Sequence, residues 1–336
     1  MQTEKYILGV DGGNSKTDYL LCKSDGTFVD ILRRPTCSHE HAGVGYEGMQ
    51  AKMQSQLNDL FTKHNIGVED IVATGFGLAG ADTGEQIENL IERVKNIGFK
   101  NFGLANDGIL GVKAMASSGV CSINGSGTVS LGIDDTGNVL QVGGIGPLSG
   151  DYAGGGVVSR DAVEALYSYH YRVGKNSTAF PKLMEVLKLT CPSQIFTKIS
   201  ESGYMFAEAK EIIQTIDACA AQGDEVSQKI LDDVGQNCGE GVAGCIRNLQ
   251  FNGAVSVIKA GSIWTKLKYT GMADKFRDTI AQYIDLPINH MLLDAPPALG
   301  AAFWAMELAH GNVYEDYRVK MQNFLTVDKY EELVTV

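Results

Sequence analysis

The sequence predicts an α/β protein of two similar lobes, and three observations support this fold class. The order of predicted elements, βββαβαβα, occurs twice along the 336 residues. Each half opens with two strands joined by a short turn rich in glycine, hydroxyl and amide groups. A repeated unit of roughly 115 residues is too long for a solenoid repeat. Two mixed sheets covered by helices, facing each other across a cleft, are therefore expected.

In the first half, short apolar runs bounded by turn residues predict strands, and helical spacing of apolar residues predicts helices. The clearest helix, 84–97, carries Ile87, Leu90 and Val94 on one face. The predicted strands are 5–10, 16–22, 28–33, 70–77 and 101–105, and the predicted helices are 46–64, 84–97 and one that ends near 117. We place the first lobe at residues 1–117.

The second half repeats this order around a predicted helical insertion at 177–222. The predicted strands are 119–124, 127–133, 138–143, 254–260 and 288–292, and the predicted helices are 155–172, 224–249, 264–283 and 297–310. We place the second lobe at residues 118–312. The tail 313–336 carries Tyr314, Tyr317, Phe324 and Tyr330, and is expected to pack on a lobe or on a partner subunit.

Composition excludes several functional classes. The net charge of −12 offers no basic surface for nucleic acid or for an anionic membrane. No stretch reaches the roughly 18 apolar residues of a membrane helix, and the seven cysteines show no metal-binding spacing. The 40 glycines are typical of an enzyme with several tight turns. We expect a cytoplasmic enzyme with reduced thiols.

Two glycine-rich turns are the first candidate functional features. Asp11-Gly12-Gly13-Asn14-Ser15-Lys16 links the first two strands of the first half, and Asn124-Gly125-Ser126-Gly127-Thr128 links those of the second. Consecutive N–H groups in such turns form a concave anion site, to which the hydroxyls and the lysine add donors. A plain hairpin turn is the alternative, but it needs only one or two special residues. We therefore favour phosphate binding.

A third glycine motif, Gly75-Phe-Gly77-Leu-Ala-Gly80, matches the dinucleotide pattern G-x-G-x-x-G. It lies in the fourth strand rather than the first, and the next strand-end acid, Asp107, is 27 residues beyond Gly80 instead of about 20. Nicotinamide-cofactor binding is therefore disfavoured. A Walker loop is disfavoured as well, because a strand rather than a helix follows the first turn.

Three aspartates are candidates for the chemistry. Asp11 ends the first strand, where a carboxylate can hold Mg²⁺ through water. Asp107 lies at the tip of strand 101–105 ahead of a helix, and its position fits a general base and a helix cap equally well. Asp151, in a glycine-rich loop that leads into a helix, could line the cleft.

Together these residues resemble the acetate and sugar kinase/Hsp70/actin superfamily, and more narrowly the N-acetylglucosamine kinase branch of the BadF/BadG/BcrA/BcrD ATPase family. The resemblance covers residues 5–310 and rests on six motifs in the family's order. They are 9–18 and 123–128 for phosphate, 77–82 for a strand-end loop, 106–108 for the catalytic acid, 260–264 for adenosine and 297–302 for the closing helix. The resemblance implies two actin-like (ribonuclease H-like) lobes with a nucleotide cleft between them.

The resemblance also implies phosphoryl transfer from MgATP to the 6-hydroxyl of an N-acetylated amino sugar, with Asp107 as general base and Asp11 at the metal. The implied phosphate-binding residues are Gly12, Gly13, Asn14, Ser15, Lys16, Thr17, Gly125, Ser126, Gly127 and Thr128. The implied nucleoside contacts are Ala207, Gly261 and Ser262, with Ala207 on the inserted helix. The implied sugar contacts are Ser38, His39, Asn106, Asp107, Gly144, Ile145 and Asp151. Relatives are commonly dimers, so a homodimer is expected.

Departures from the family pattern leave the sugar open. Ser38 stands where members often have Asn before His, and Tyr152 stands where Glu is common after Asp151. N-acetylglucosamine, N-acetylmuramic acid and glucosamine are alternatives. His39-Glu40-His41 could be a metal pair, but Mg²⁺ prefers oxygen ligands, so sugar contacts or a solvated loop are favoured.

Two other functions stand as alternatives. An ATPase that activates 2-hydroxyacyl-CoA dehydratases needs thiolates for an iron–sulfur cluster shared between subunits, and Cys121 is the nearest candidate. A sugar-sensing regulator is expected to carry a DNA-binding segment, and the sequence has none ahead of Tyr6.

Overall fold

A computed structural model describes residues 4–202, 206–313 and 315–334, and shows two five-stranded mixed sheets. The strands of the first sheet are β1 (Tyr6–Gly12), β2 (Lys16–Lys23), β3 (Phe28–Pro35), β4 (Ile71–Leu78) and β5 (Phe102–Ala105). Those of the second sheet are β6 (Gly119–Asn124), β7 (Thr128–Ile133), β8 (Val139–Gly143), β9 (Val255–Ala260) and β10 (Ile288–Leu292). The predicted α/β fold class is confirmed.

The helices lie between and after these strands. In chain order they are α1 (Gly45–His64), α2 (Gly84–Ile97), α3 (Leu110–Met115), α4 (Gly155–Tyr171), α5 (Ala179–Val186), α6 (Gln194–Ser202), α7 (Ala209–Ala220), α8 (Glu225–Asn248), α9 (Ser262–Lys266), α10 (Gly271–Tyr283), α11 (Pro297–His310), α12 (Glu315–Phe324) and α13 (Val327–Val334). Among the described residues, none of these helices combines the length and apolar character needed to cross a membrane.

The chain divides into two compact units, the first taking in the chain up to Gly119 and again from Leu293. Its strands follow the order β3-β2-β1-β4-β5. β1 pairs antiparallel with β2, which places Asp11 opposite Asp18, and parallel with β4. β4 and β5 are also parallel. The carboxyl ends of β1, β4 and β5 therefore meet at one edge of the sheet, where Asp11 and Asp107 lie.

Helix α2 shows how local sequence sets an element of this unit. Thr83 caps the helix, since its hydroxyl accepts from the Gln86 N–H at 3.3 Å while the Gln86 side chain accepts from the Thr83 N–H at 2.9 Å. At the other end Gly98 adopts a φ of 117°, which glycine tolerates best. The buried residues Leu90 and Val94 face the core, as the helical spacing predicts.

Helix α11 corrects the predicted division of the chain. The sequence assigned 297–310 to the second lobe, but Ala298, Leu299 and Phe303 are buried with Ile7 and Leu20 of the first sheet. The helix crosses the sheet at Gly9, where an added Cβ would lie 2.5 Å from the Ala302 nitrogen. The first unit therefore includes the chain after Leu292, not only residues 1–117.

The tail after α11 also belongs to the first unit. Tyr317, Met321 and Tyr330, on α12 and α13, are buried in the same apolar cluster as Ile31 and Cys22 of the sheet. Tyr314, named in the sequence analysis, lies outside the described residues. Of the two expectations for the tail, packing on a lobe is the one that the described residues show.

The second unit, Val120–Leu292, repeats the order of the first. Its sheet runs β8-β7-β6-β9-β10, which corresponds strand for strand to β3-β2-β1-β4-β5. The predicted insertion contains α5, α6 and α7, whose residues Leu183, Ile195 and Ile212 join the main core of this unit.

The predicted helix 264–283 is instead two helices, α9 and α10. Between them the backbone N–H groups of Lys268 and Tyr269 donate to the Asp217 carboxylate at 2.9 and 2.9 Å. Because these donors are used by a side chain of α7, they cannot continue the helical ladder. The interruption shapes the pocket described below.

Candidate active site

The turn between β1 and β2 presents exposed polar groups on a fixed backbone. Asn14 and Ser15 are exposed, whereas Gly13 is partly buried. The Thr36 hydroxyl donates to the Gly13 carbonyl at 2.8 Å and ties the turn to the segment after β3. This hydrogen bond helps to fix the shape of the turn, which suits an anion-binding nest.

Thr17, one of the predicted phosphate contacts, faces away from this surface. Its side chain has no exposed area, and its hydroxyl accepts from the Cys37 N–H at 3.2 Å and lies 3.3 Å from the Cys37 sulfur. Alternate residues of a strand point to opposite faces, so Lys16 and Asp18 lie on the other side. The Thr17 hydroxyl is not open to a ligand.

Asp107 lies directly beside the first turn. A Cβ placed on Gly13 would be 3.6 Å from Asp107 Oδ2, which is ordinary contact distance. Asn106, not Asp107, caps the helical turn that follows β5, because its side-chain oxygen accepts from the Gly108 N–H at 2.9 Å. Asn106 is therefore the N-cap residue of this turn, and Asp107 is its first residue.

Burial and negative neighbours raise the pKa of Asp107 to about 6. Burial is the largest cause, followed by the charge of Asp82, whose Oδ1 accepts from Asn106 Nδ2 at 2.7 Å. The charge of Glu40 also raises the pKa, while the N–H groups of Asp107 and Gly108 lower it. A partly buried carboxylate with a pKa near 6 can accept a proton at neutral pH.

Asp11, at the end of β1, is the second perturbed acid of this edge. Burial, followed by the charges of Asp107 and Asp18, raises its pKa to about 7, against the opposing effects of Lys16 and Arg33. Within residues 4–202, 206–313 and 315–334, no three His, Cys, Asp or Glu side chains form a group that could hold a metal ion. Asp11 is thus a single carboxylate ligand candidate rather than part of a protein cage.

The predicted sugar contacts Ser38 and His39 lie on the loop after β3. Ser38 is buried, and its hydroxyl accepts from the Glu40 N–H at 3.3 Å. The His39 ring stacks on Tyr46 with centroids 4.4 Å apart and also abuts Gly80, where an added Cβ would meet His39 Cε1 at 2.5 Å. Burial lowers the pKa of His39, which favours the neutral imidazole.

In the second unit, the turn between β6 and β7 packs on the start of α4. The Gly155 N–H donates to the Gly125 carbonyl at 2.8 Å, and the Gly156 N–H donates to the Ser126 carbonyl at 3.0 Å. Gly154, at a φ of 90°, has no room for a Cβ, which would lie 2.7 Å from the Gly127 backbone. The positive end of the α4 dipole therefore faces the second predicted phosphate turn.

The Thr128 hydroxyl at the end of this turn is already engaged. It donates to the Ile123 carbonyl at 3.3 Å and lies 3.7 Å from the Cys238 sulfur. Its predicted contact with phosphate would have to replace or share the bond to Ile123.

A pocket of about 490 Å³ opens beside the second turn. It is lined by Gly125, Ser126, Gly155, Gly156, Ser159, Phe206, Ala209, Lys210, Ile213, Gln214, Asp217, Ser262, Ile263, Lys266 and Leu267. The pocket therefore contains residues of both predicted sets: Gly125 and Ser126 for phosphate, and Ser262 for the nucleoside. Its volume suits a small organic ligand, and its mostly apolar walls suit a flat ring system.

Two predicted nucleoside residues differ from expectation. Ala207 precedes α7 and is exposed, and the lining side chains on either side of it are Phe206 and Ala209. Gly261 supports the pocket rather than lining it, because its φ of 100° brings it against the Asn124 backbone. The pocket also contains five residues that were not predicted, because they belong to no sequence motif: Phe206, Lys210, Gln214, Asp217 and Lys266.

The loop after β8 carries the remaining predicted sugar contacts. The Asp151 carboxylate accepts from the Gly144 N–H at 3.0 Å, the Gly146 N–H at 2.6 Å and the Ser149 hydroxyl at 2.9 Å. Asp151 therefore organises its own loop, and its predicted contact with the sugar stays a prediction. Ile145 is 78% exposed at the tip of this loop.

Cys121, the candidate thiolate of the iron–sulfur alternative, has no exposed area, and burial raises the pKa of its thiol to about 12. A neutral thiol inside β6 cannot serve a cluster shared between subunits. This observation weighs against that alternative.

The duplicated sheets, the paired glycine turns and the partly buried acid at a strand end match the actin-like fold that the sequence predicts. A solved structure with this fold, a candidate N-acetylglucosamine kinase from Chromobacterium violaceum, aligns with a TM-score of 0.58 at 20% identity over 91% of this chain and 99% of that one. The chain belongs to the BadF/BadG/BcrA/BcrD ATPase family, whose model matches residues 8–305.

Two characterised relatives agree with the predicted enzyme class. The N-acetylmuramic acid/N-acetylglucosamine kinase of Clostridium acetobutylicum is 23% identical over 278 residues, which cover 81% of this chain and 89% of the relative. The N-acetyl-D-glucosamine kinase of Dictyostelium discoideum is 26% identical over 248 residues, which cover 69% of this chain and 76% of the relative. Both relatives are sugar kinases and hence phosphotransferases.

Proposed function

We propose that the protein is an ATP-dependent kinase that phosphorylates the 6-hydroxyl of an N-acetylated amino sugar. The observation that carries this proposal is the contact between the first glycine turn and Asp107 within one unit. It places a proton acceptor with a pKa of about 6 next to a turn suited to phosphate. The two sugar-kinase relatives support the same reaction class.

Asp107 would act as the general base. As the sugar hydroxyl oxygen attacks the γ-phosphorus, the bond from that phosphorus to the β,γ-bridging oxygen breaks and ADP leaves. The hydroxyl proton passes to the Asp107 carboxylate. Phosphoryl transfer otherwise depends on positioning and charge neutralisation, which the N–H groups, Ser15 and Lys16 of the first turn would supply.

Asp11 is the residue that would hold Mg²⁺. Its carboxylate is a hard oxygen ligand, and the nearby charge of Asp107 makes a divalent cation electrostatically favourable there. When bound, Mg²⁺ would neutralise phosphate charge. Since the described residues form no group of three or more His, Cys, Asp or Glu side chains that could hold a metal ion, water and phosphate oxygens would supply the rest of its ligands.

The second unit would bind the nucleoside. Phe206, Ile213 and Ile263 give the 490 Å³ pocket apolar walls for a base. Ser126 and the start of α4 lie in the same pocket and would contact the phosphate end. The pocket and its anion-binding turn thus match the two ends of ATP.

The first unit would bind the sugar through Ser38, His39 and Asn106. The neutral, stacked His39 ring can exchange hydrogen bonds with hydroxyl or amide groups without a charge. The names of both relatives favour N-acetylglucosamine, with N-acetylmuramic acid as a second substrate to test.

A coupled ADP-release assay over a panel of sugars tests the proposal. Turnover with N-acetylglucosamine, and none with its 6-deoxy analogue, is the expected result, because the analogue lacks the acceptor hydroxyl. Mass spectrometry should show a single added phosphate. Intact ATP binding without any sugar-stimulated ADP release would refute the kinase assignment.

A further inference from the structure

Asp18 is a carboxylate without exposed surface that accepts hydrogen bonds from three side chains. Lys16 Nζ donates to Oδ2 at 2.6 Å, Arg33 donates to Oδ1 at 2.7 Å and to Oδ2 at 2.9 Å, and the Tyr330 hydroxyl donates to Oδ2 at 2.7 Å. We call Asp18, Lys16, Arg33, Tyr330 and Glu331 the Asp18 network. A buried carboxylate needs such donors, so each member is held in a fixed geometry.

The C-terminal helix α13 supplies two members of this network. Tyr330 is 2% exposed, and Glu331 accepts from Arg33 at 2.8 and 3.1 Å. Both residues lie beyond residue 305, where the match to the family model ends. The tail is therefore bonded to the strand that follows the first phosphate turn.

Lys16 is the member that can reach a ligand. It is the first residue of β2 after the turn, and its side chain is 40% exposed. Its ammonium lies 5.8 Å from the centre of the Tyr330 ring. Because an ammonium has three donors and one is directed to Asp18, two remain for another acceptor. A lysine held in place before binding loses less conformational freedom when it binds.

We propose that Tyr330 is a positioning residue for phosphate binding, acting through Asp18 to fix the Lys16 ammonium beside the first glycine turn. The C-terminal helix is then part of the nucleotide-binding machinery rather than only a cover for the apolar cluster. This inference rests on the proposed function, in which the first turn holds phosphate.

Tyr330→Phe tests the inference because it removes the hydroxyl and keeps the ring. Loss of a hydrogen bond to a charged group should raise the KM for MgATP by about 5–10-fold, with kcat within about two-fold. The Kd for MgATP should rise by the same factor, whereas the Kd for adenosine, which has no phosphate, should not change. Tyr317→Phe is the matched control, since this tail hydroxyl faces Cys22.

A double-mutant cycle separates positioning from a general structural effect. Lys16→Met should raise the KM for MgATP by itself, and adding Tyr330→Phe should then change it by less than about two-fold. An equal effect of Tyr330→Phe in both backgrounds, or weaker adenosine binding, would overturn the inference. So would a Tyr330→Phe protein that behaves like the Tyr317→Phe control.

The wild-type protein distinguishes this inference from the function on which it rests. Normal sugar-kinase turnover together with an unaffected Tyr330→Phe variant would overturn the inference alone. Failure of the wild-type protein to bind MgATP would overturn the proposed function and the inference with it. Both Tyr→Phe variants should unfold in a single cooperative thermal transition, which confirms that they are folded. A lower Tm is expected for Tyr330→Phe, because the buried Asp18 carboxylate loses one donor.

Discussion

Asp107→Asn is expected to abolish most turnover while sparing nucleotide binding. Asparagine keeps the size of the side chain and can still accept from the Asp107 and Gly108 N–H groups, but it cannot take a proton from a hydroxyl. General-base assistance is typically worth about 10²–10⁴ in rate, so kcat should fall at least 100-fold on that scale. The pocket around Phe206 lies in the other unit, so MgATP affinity should stay within about two-fold of wild type.

The same substitution should stabilise the fold at high pH. The Asp107 pKa rises from 3.8 to about 6 on folding, so the folded chain binds the proton more tightly and ionisation above pH 6 costs stability. At pH values well above 6, this ionisation lowers the free energy of unfolding by about 3 kcal/mol. Because asparagine also loses charge-assisted hydrogen bonds, we expect a net gain of about 1 kcal/mol at pH 8. Below about pH 4 the Asp107 carboxyl is protonated in both the folded and the unfolded chain, so the stabilisation by Asp107→Asn should vanish.

Turnover by ADP release and thermal unfolding at pH 4 and pH 8 check both parts of this prediction. A gain of that size should raise the Tm by about 2 °C at pH 8. Asp82→Asn is the control, since it removes a neighbouring charge but keeps the acceptor for Asn106. The reasoning fails if Asp107→Asn keeps more than about a tenth of the activity, or if its Tm at pH 8 is lower than that of wild type.

Three further outcomes follow from the same geometry. The kcat/KM for the sugar at low MgATP should fall about tenfold per pH unit below the Asp107 pKa of about 6; a rate profile that stays flat to pH 5 would contradict it. Gly9→Ala would place a Cβ 2.5 Å from the Ala302 nitrogen, so it should lower the free energy of unfolding, measured by urea denaturation, by roughly 2–4 kcal/mol. Gly84→Ala is the control, because its Cβ would have nothing within 4 Å, so it should not lower that free energy. Phe206→Ala should raise the Kd for ATP roughly tenfold in calorimetry, and an unchanged Kd would remove the base from this pocket.

The parts of the fold that were predictable are those set by local sequence. Apolar patterns and glycine turns predicted the order of strands along the chain in both halves. The Thr83 cap and Gly98 set the two ends of α2. Asp107 was found because an acid at a strand end before a helix is a local pattern. Its position next to Gly13 follows from the parallel pairing of β1, β4 and β5, which the structure shows.

The features of the fold that depend on packing between distant parts of the chain could not be predicted from local sequence. Helix α11 follows β10 in sequence, and this adjacency favoured assigning the helix to the second lobe. The close approach of α11 to Gly9 shows instead that the helix packs on β1. The bond between Tyr330 and Asp18 joins residues 312 positions apart, and nothing near either residue predicts it. Thr17 is different, because the alternation of β2 already placed it with the buried Tyr19.

Asp11 and Asp18 face each other across β1 and β2, and their surroundings shift their pKa values in opposite directions. Burial tends to raise the pKa of Asp18, but hydrogen bonds from Arg33, Lys16 and Tyr330 hold that pKa below its usual value. Asp11 is partly buried without comparable compensation, and its pKa rises to about 7. Folding therefore favours the ionised form of Asp18 and the protonated form of Asp11. The fold places cationic side chains around Asp18 and leaves Asp11 next to Asp107. This arrangement is expected of a site in which the positive charge arrives with the substrate.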